Sequence, residues 1–202
     1  TLIALMVHNA EVPNVFKAIE YKNYLNELIG YGMPTIADNI LNGDEHSITL
    51  VFANRIKNKQ ILSFPFAWPA SLIKNEKCVG AVKVTLVSTP AIDYVFGDEM
   101  IRENISVSLR QIQEDGAKKG MLNARYKDDK SSSGHMYEWQ LIESEQKWNP
   151  IKVYEKSFPR GTKNKGGWFL EVEYQSRDGS QHSLQGVPFT VILTISDPEQ
   201  IA

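Results

Sequence analysis

The chain has 202 residues, 42% of them hydrophobic and 23% charged, and its net charge is −2. These values are typical of a globular protein, and they give no electrostatic reason to expect a nucleic acid or a membrane as partner. The single cysteine, Cys78, excludes an internal disulfide and a cysteine-rich zinc site, and it favours a reducing, cytoplasmic compartment. The apolar run at residues 2–7 is too short to span a membrane, and it lacks the basic stretch of a signal peptide.

Residues 1–43 are predicted to form a helical segment. The run Leu-Ile-Ala-Leu-Met-Val at residues 2–7 has hardly any polar face, which is typical of a helix that is buried on all sides within a larger domain. An amphipathic helix is predicted at residues 21–28, where apolar side chains recur at helical spacing, and a short third helix is predicted at residues 35–41. We therefore expect this segment to belong to a larger domain.

Residues 44–202 are predicted to form a β-sandwich. Alternating apolar side chains predict strands at residues 47–53, 61–66, 81–88, 104–109, 137–142, 152–158, 168–175 and 188–195. Pro65 indicates that the second strand is an edge strand or ends early, and the charged residues 111–134 predict a long, partly mobile loop. Val84 and Leu193 are predicted to face the core. About eight strands without helical patterns between them favour an antiparallel two-sheet sandwich of the jelly-roll type.

Short segments at both ends of the chain resemble the subtilisin-like serine peptidases. Ala-Leu-Met-Val-His-Asn-Ala-Glu at residues 4–11 is similar to the segment that follows the catalytic serine helix of that family. Gly-Tyr-Gly-Met-Pro at residues 30–34, followed by residues 36–41, resembles the end of its catalytic domain. Further segments are similar to the C-terminal β-domain of a bacterial branch of the family, namely residues 83–90, 104–109, 148–152, 158–161 and 189–198.

The resemblance implies that this chain is a non-catalytic, C-terminal part of a serine endopeptidase with an Asp/His/Ser triad. The family's Gly-Thr-Ser motif does not occur here, so the resemblance assigns no catalytic residue to the chain. Residues 1–43 are then the end of the catalytic domain, and residues 44–202 stabilise that domain or dock a protein substrate or partner. The alternative is an independent module that binds carbohydrate or protein, but such a module has no use for a helix without a polar face.

The cover of the apolar first helix is a separate expectation. Without the rest of a catalytic domain, the helix is expected either to fold back on the sandwich or to pair with the same helices of a second chain. We favour the homodimer, because a sandwich is not expected to carry a place for a helix that belongs elsewhere.

Two groups of polar residues have the composition of a catalytic or metal site. Serine and histidine stand close together in a hydrolase-like combination, but the charges around them favour a flexible loop; these residues are Ser131, Ser132, Ser133 and His135. The histidines show no metal-ligand spacing, and His8 is interpreted as a structural residue at the end of an apolar helix; they are His8, His46, His135 and His182.

Acidic residues, aromatic residues and a glycosylation sequon supply three further candidates. Asp93, Asp98 and Glu99 have the oxygen ligands that calcium prefers, but a solvated turn is the favoured interpretation. The aromatic residues could stack on sugars, but core packing is favoured, with Trp148 partly exposed; they are Trp68, Trp139, Trp148, Trp168 and Tyr174. The glycosylation sequon at Asn104 is interpreted as chance. We therefore expect no catalytic, cofactor-binding or metal-binding residue in this chain.

Overall fold

The computed structural model describes residues 1–17, 29–35, 46–122, 125–127, 135–137, 148–177 and 184–197. A short α-helix, α1 (Leu2–His8), begins the chain. The strands are β1 (Ala10–Glu11), β2 (Met33–Pro34), β3 (Ser47–Ile56), β4 (Ile61–Phe66), β5 (Ile73–Lys74), β6 (Lys77–Ser88), β7 (Glu103–Ile112), β8 (Lys118–Leu122), β9 (Arg125–Lys127), β10 (His135–Tyr137), β11 (Ile151–Lys163), β12 (Trp168–Ser176) and β13 (Val187–Ser196). None of the described helices is long and apolar enough to cross a membrane.

Two antiparallel sheets form a β-sandwich. The first sheet has the order β11-β6-β13-β3, with β5 paired to β6, and the second has the order β4-β12-β7-β8. Each sheet takes strands from both halves of the chain, so that β3 lies beside β13 and β4 lies beside β12. This is the strand order of a jelly roll, and the predicted antiparallel sandwich is confirmed.

The core lies between the two sheets. Val84 of β6 and Leu193 of β13 are register partners, and they are 1% and 0% exposed, which confirms that both face inward. The second sheet opposes them with a row of buried side chains, among them Ile105, Val107, Leu109, Leu170 and Val172. The alternation of apolar residues in β6 and β13 therefore identified one face of one sheet, and the two strands are neighbours in it.

One predicted loop is partly a strand. Residues 118–122, within the expected loop at residues 111–134, form β8 and pair with β7. A tight turn joins the two strands, where the Gln113 amide donates to the Ala117 carbonyl at 2.8 Å. The prediction was wrong because β8 is a short edge strand whose first residues are exposed and charged, so that only Met121 and Leu122 carry its apolar signal.

Other sequence predictions have mixed outcomes. The β4 strand with Pro65 lies at the edge of the second sheet, as predicted. Of the strand predicted at residues 137–142, residue 137 belongs to β10, which pairs with β9 outside the two large sheets, and residues 138–142 lie outside the described residues. The helix predicted at residues 21–28 lies outside the described residues, and of residues 35–41 only Thr35 is described. The proposed boundary between residues 43 and 44 also lies outside them and stays a prediction.

Candidate functional site

Helix α1 lies on the outer face of the first sheet, where it packs on β6 and β13. Ala4 and His8 stand four residues apart on one face of the helix and are 0% and 6% exposed. Leu2, Ile3 and Met6 lie on the opposite face and are 73%, 59% and 47% exposed. The expectation of burial on all sides is therefore wrong for the described residues, because the sheet covers only one face of the helix.

The outer face of the sheet is suited to this helix because it presents threonine hydroxyls. Nδ1 of His8 lies 2.8 Å from Oγ1 of Thr85 on β6, and Nε2 lies 2.7 Å from Oγ1 of Thr194 on β13. The Thr194 hydroxyl also lies 2.7 Å from that of Thr49 on β3. Threonine is favoured in strands, and its hydroxyl satisfies a buried polar group. The sandwich thus has a place for this helix, contrary to the expectation from the sequence, and the helix folds back on it.

The imidazole of His8 is held in its neutral form. Burial and, to a smaller extent, the positive charge of Lys83 together lower its pKa from 6.5 to about 4. Lys83 is partly neutralised by Glu155, at 3.5 Å on β11, but Glu155 is largely exposed. The interpretation of His8 as a structural residue agrees with these contacts.

An open depression of about 410 Å³ lies where the N-terminal residues 7–12 and Tyr31, the head of the chain, meet the first sheet. Its lining combines apolar and ionisable side chains, among them Val7, Glu11, Tyr31, Lys83, Val153 and Glu155. The Tyr31 hydroxyl donates to the Ile151 carbonyl at 2.6 Å, and burial raises the pKa of Tyr31. Among the described residues, its lining holds no paired nucleophile and base.

Asp93 and Glu99, two of the three carboxylates considered as calcium ligands, have partners within the protein. Asp93 accepts a hydrogen bond from the Val95 amide at 3.2 Å. Glu99 accepts from Arg177 at 2.5 Å and from Arg102 at 2.8 Å, and the hydrogen bond from Arg177 is the largest cause of its lowered pKa. Among the described residues, no group of three or more histidine, cysteine, aspartate or glutamate side chains is placed to hold a metal ion. The interpretation of Glu99 as part of a solvated turn is thus incomplete, since it is an ion-pair partner.

The two arginines that pair with Glu99 also lie over aromatic rings. We call the group of Phe96, Glu99, Arg102, Trp148 and Arg177 the clamp. The Arg102 guanidinium lies 4.0 Å from the ring centre of Phe96, and that of Arg177 lies 4.5 Å from that of Trp148. The clamp joins the loop between β6 and β7 to the end of β12 and to the residues before β11. Sequence reasoning missed it, because Trp148 and Arg177 lie far along the chain from Phe96, Glu99 and Arg102.

The aromatic residues proposed as a sugar platform are mostly core residues. Trp68, Trp168 and Tyr174 are buried, and the rings of the two tryptophans lie 4.5 Å apart. Trp148 is half-buried in the clamp, whereas Trp139 lies outside the described residues. The core interpretation is confirmed for the three buried residues, which leaves them no face on which a sugar could stack.

A buried polar bridge between the two sheets was also missed by the sequence. Nζ of Lys152, on the first sheet, donates to Oδ1 of Asn104 at 2.7 Å and to the Ile105 carbonyl at 2.9 Å on the second sheet. Asn104 is buried in this bridge, so its sequon is inaccessible in the folded chain. A lysine near the start of a strand gives no sequence signal that it points inward.

The remaining candidates are only partly described. Ser131, Ser132, Ser133 and His182 lie outside the described residues, and His135 contributes its backbone to β10. The carbonyl of His46 accepts a hydrogen bond from the Asp197 amide at 2.8 Å. The serine–histidine combination therefore stays a hypothesis.

Comparisons with known proteins identify no family. No protein-family model matches the chain, and no curated protein matches it. A solved chain from Desmodium yellow mottle tymovirus is 10% identical; the match covers 79% of this chain and 93% of that chain, with a TM-score of 0.27. A likeness this weak carries no argument about function.

Proposed function

We propose that this chain is a non-catalytic module that stabilises a second folded unit by contact through α1, and that this unit is the catalytic domain of a subtilisin-like serine endopeptidase. The observation that carries the proposal is the two-sided character of α1. One side of the helix is buried on the jelly roll through Ala4 and His8, and the other side presents Leu2, Ile3 and Met6 to solvent.

The exposed side of α1 has a physical reason to be covered. Full burial of a large aliphatic side chain is worth roughly 1.5–3 kcal/mol relative to leaving it exposed. Val51 of β3, which pairs with Ile192, is a further exposed apolar residue on the outer face of the same sheet. A cluster of this kind on a rigid element is typical of a contact surface.

The resemblance to subtilisin-like peptidases supports the identity of the second unit. The two segments of the head that carry it, residues 4–11 and 30–34, meet in the β1–β2 pair, where Ala10 is the register partner of Pro34 and Glu11 that of Met33. The carbohydrate-binding alternative has less support, because the aromatic residues Trp68, Trp168 and Tyr174 are buried.

The test uses the polypeptide encoded by the whole gene and, beside it, the 202-residue chain. We expect the whole polypeptide to cleave casein, a serine-directed inhibitor to abolish that cleavage, and the 202-residue chain to show none. In the whole polypeptide, the triple substitution Leu2→Ser, Ile3→Ser and Met6→Ser should lower the temperature at which half of the peptidase activity is lost.

The matched control replaces two exposed apolar residues elsewhere, Val95→Ser and Leu184→Ser, and should leave that temperature unchanged. A whole polypeptide without serine-type cleavage would overturn the assignment to a peptidase. Equal effects of the triple variant and the control would overturn the role of α1.

A further inference from the structure

His8 joins α1 to the sandwich through polar contacts with two strands, β6 and β13. Ala4 and His8 are the only buried residues of the helix, and the Thr1 hydroxyl adds a contact of 3.4 Å to that of Thr190. A helix of this length is not stable by itself in water. The docked state of α1 therefore depends on the fit of the His8 ring between β6 and β13.

We propose that His8 makes the docking of α1 sensitive to acid: with a neutral imidazole α1 lies on the sheet, and with a protonated imidazole it is released. This inference goes beyond the proposed function and does not rest on it, because docking is a property of the 202-residue chain alone.

Protonation does not act through lost hydrogen bonds. A neutral ring donates from one nitrogen and accepts at the other, whereas a charged ring donates from both. The hydroxyls of Thr85 and Thr194 can rotate to accept both bonds, and Thr194 can then donate to Thr49. The hydrogen-bond geometry is thus compatible with both protonation states.

The cost of protonation is electrostatic. The charge would be buried, and the described side chains that bond the ring are threonine hydroxyls rather than carboxylates. β6 contributes Lys83, which repels it, and β11 contributes Glu155, which is exposed and paired with Lys83. β13 and β3 contribute the hydroxyls of Thr194 and Thr49, while Glu11 lines the depression beyond the end of α1 and the amino group of Thr1 lies at its start.

The direction and the size of the pH effect follow from the linkage between protonation of His8 and docking of α1. The docked ring has a pKa lowered from 6.5 to about 4, so docking is fully favoured above about pH 6.5 and is weakened as the pH falls towards 4. Between about pH 7.5 and about pH 5, the ratio of released to docked helix should rise roughly 30-fold.

Hydrogen exchange of the 202-residue chain tests the proposal. The amides of Leu5 and Asn9, which bond within α1, should lose protection between these pH values after correction for the intrinsic rate, while amides of β13 such as Leu193 should keep theirs. His8→Gln, which cannot be charged, should abolish the pH dependence, and His46→Gln, as the matched control, should retain it. Protection of β13 reports in each variant that the sandwich is folded.

A titration of the wild-type chain by NMR provides an independent measurement. The His8 ring protons should titrate with a midpoint below about 5, and Lys83→Gln should raise that midpoint. A His8 midpoint near 6.5, or loss of protection in α1 and β13 together, would overturn the proposal. So would a pH dependence that persists in folded His8→Gln.

Discussion

The two faces of the first sheet are covered by different means. The inner face packs aliphatic side chains such as Val84 and Leu193 against the second sheet. On the outer face, the described residues that pack on the sheet include α1, and the side chains buried there include Thr85, Thr190 and the ring of His8. The inner face thus has many equivalent apolar contacts, whereas the outer face has a few specific polar ones. We infer that the inner face determines whether the chain folds and that the outer face determines where α1 lies.

Substitution of the inner face should have the largest effect. Val84→Ala or Leu193→Ala removes methyl groups from a closed core and leaves a cavity, so we expect a loss of about 2–4 kcal/mol in the free energy of unfolding. Urea denaturation of each variant measures this loss. A loss below about 0.5 kcal/mol, the usual value for exposed sites, would contradict the assignment of the inner face.

The strands of this inner face could be predicted from the sequence, because the alternation of apolar and polar residues is a local property of each strand. In β6 and β13 the apolar side chains alternate over long stretches, and residues such as Val84 and Leu193 could be assigned to the core without knowledge of their partners. β8 could not, since its charged first half is exposed on an edge strand. A pattern reports burial only where the strand has one clearly apolar face.

The outer face and the clamp could not be predicted, because they depend on pairs that are distant in the sequence. Thr194 alternates with the core residues of β13 and resembles a solvent-facing residue until His8 is placed beside it. Glu99 and Arg177 are likewise far apart in the chain. Polar alternation indicates which side chains leave the core, but not what covers them.

Substitution of the outer face should have an intermediate effect. Thr194→Val keeps the shape of the side chain and removes the hydroxyl, so Nε2 of His8 loses its partner. We expect the free energy of unfolding to fall by about 1–2 kcal/mol. The loss is limited because α1 can leave the sheet, which exposes the unpaired nitrogen to water. Urea denaturation near neutral pH is the measurement. Thr49→Val, the control, leaves the contact of His8 with Thr194 intact and should cost less; an equal or larger loss would show that the threonine pair matters more than the histidine.

Substitution of the exposed side of α1 should have the smallest effect on the stability of the 202-residue chain. Because Leu2, Ile3 and Met6 already face solvent, their joint replacement by serine should change the free energy of unfolding of a monomer by no more than about 0.5 kcal/mol per site. The homodimer favoured from the sequence predicts another result, since a two-fold contact would bury these side chains against each other and make stability depend on concentration.

Sedimentation distinguishes these cases. The full chain, the triple serine variant and a shortened chain that begins at Asp44 are compared over a range of concentrations. If α1 is covered only on its sheet side, all three sediment as monomers, and the exposed side remains available for the second unit that we propose. A dimer of the full chain that both the triple variant and the shortened chain lose would instead identify a second copy as the occupant. The outer face would then be an assembly surface, and its contribution to stability would approach that of the inner face as the protein concentration rises.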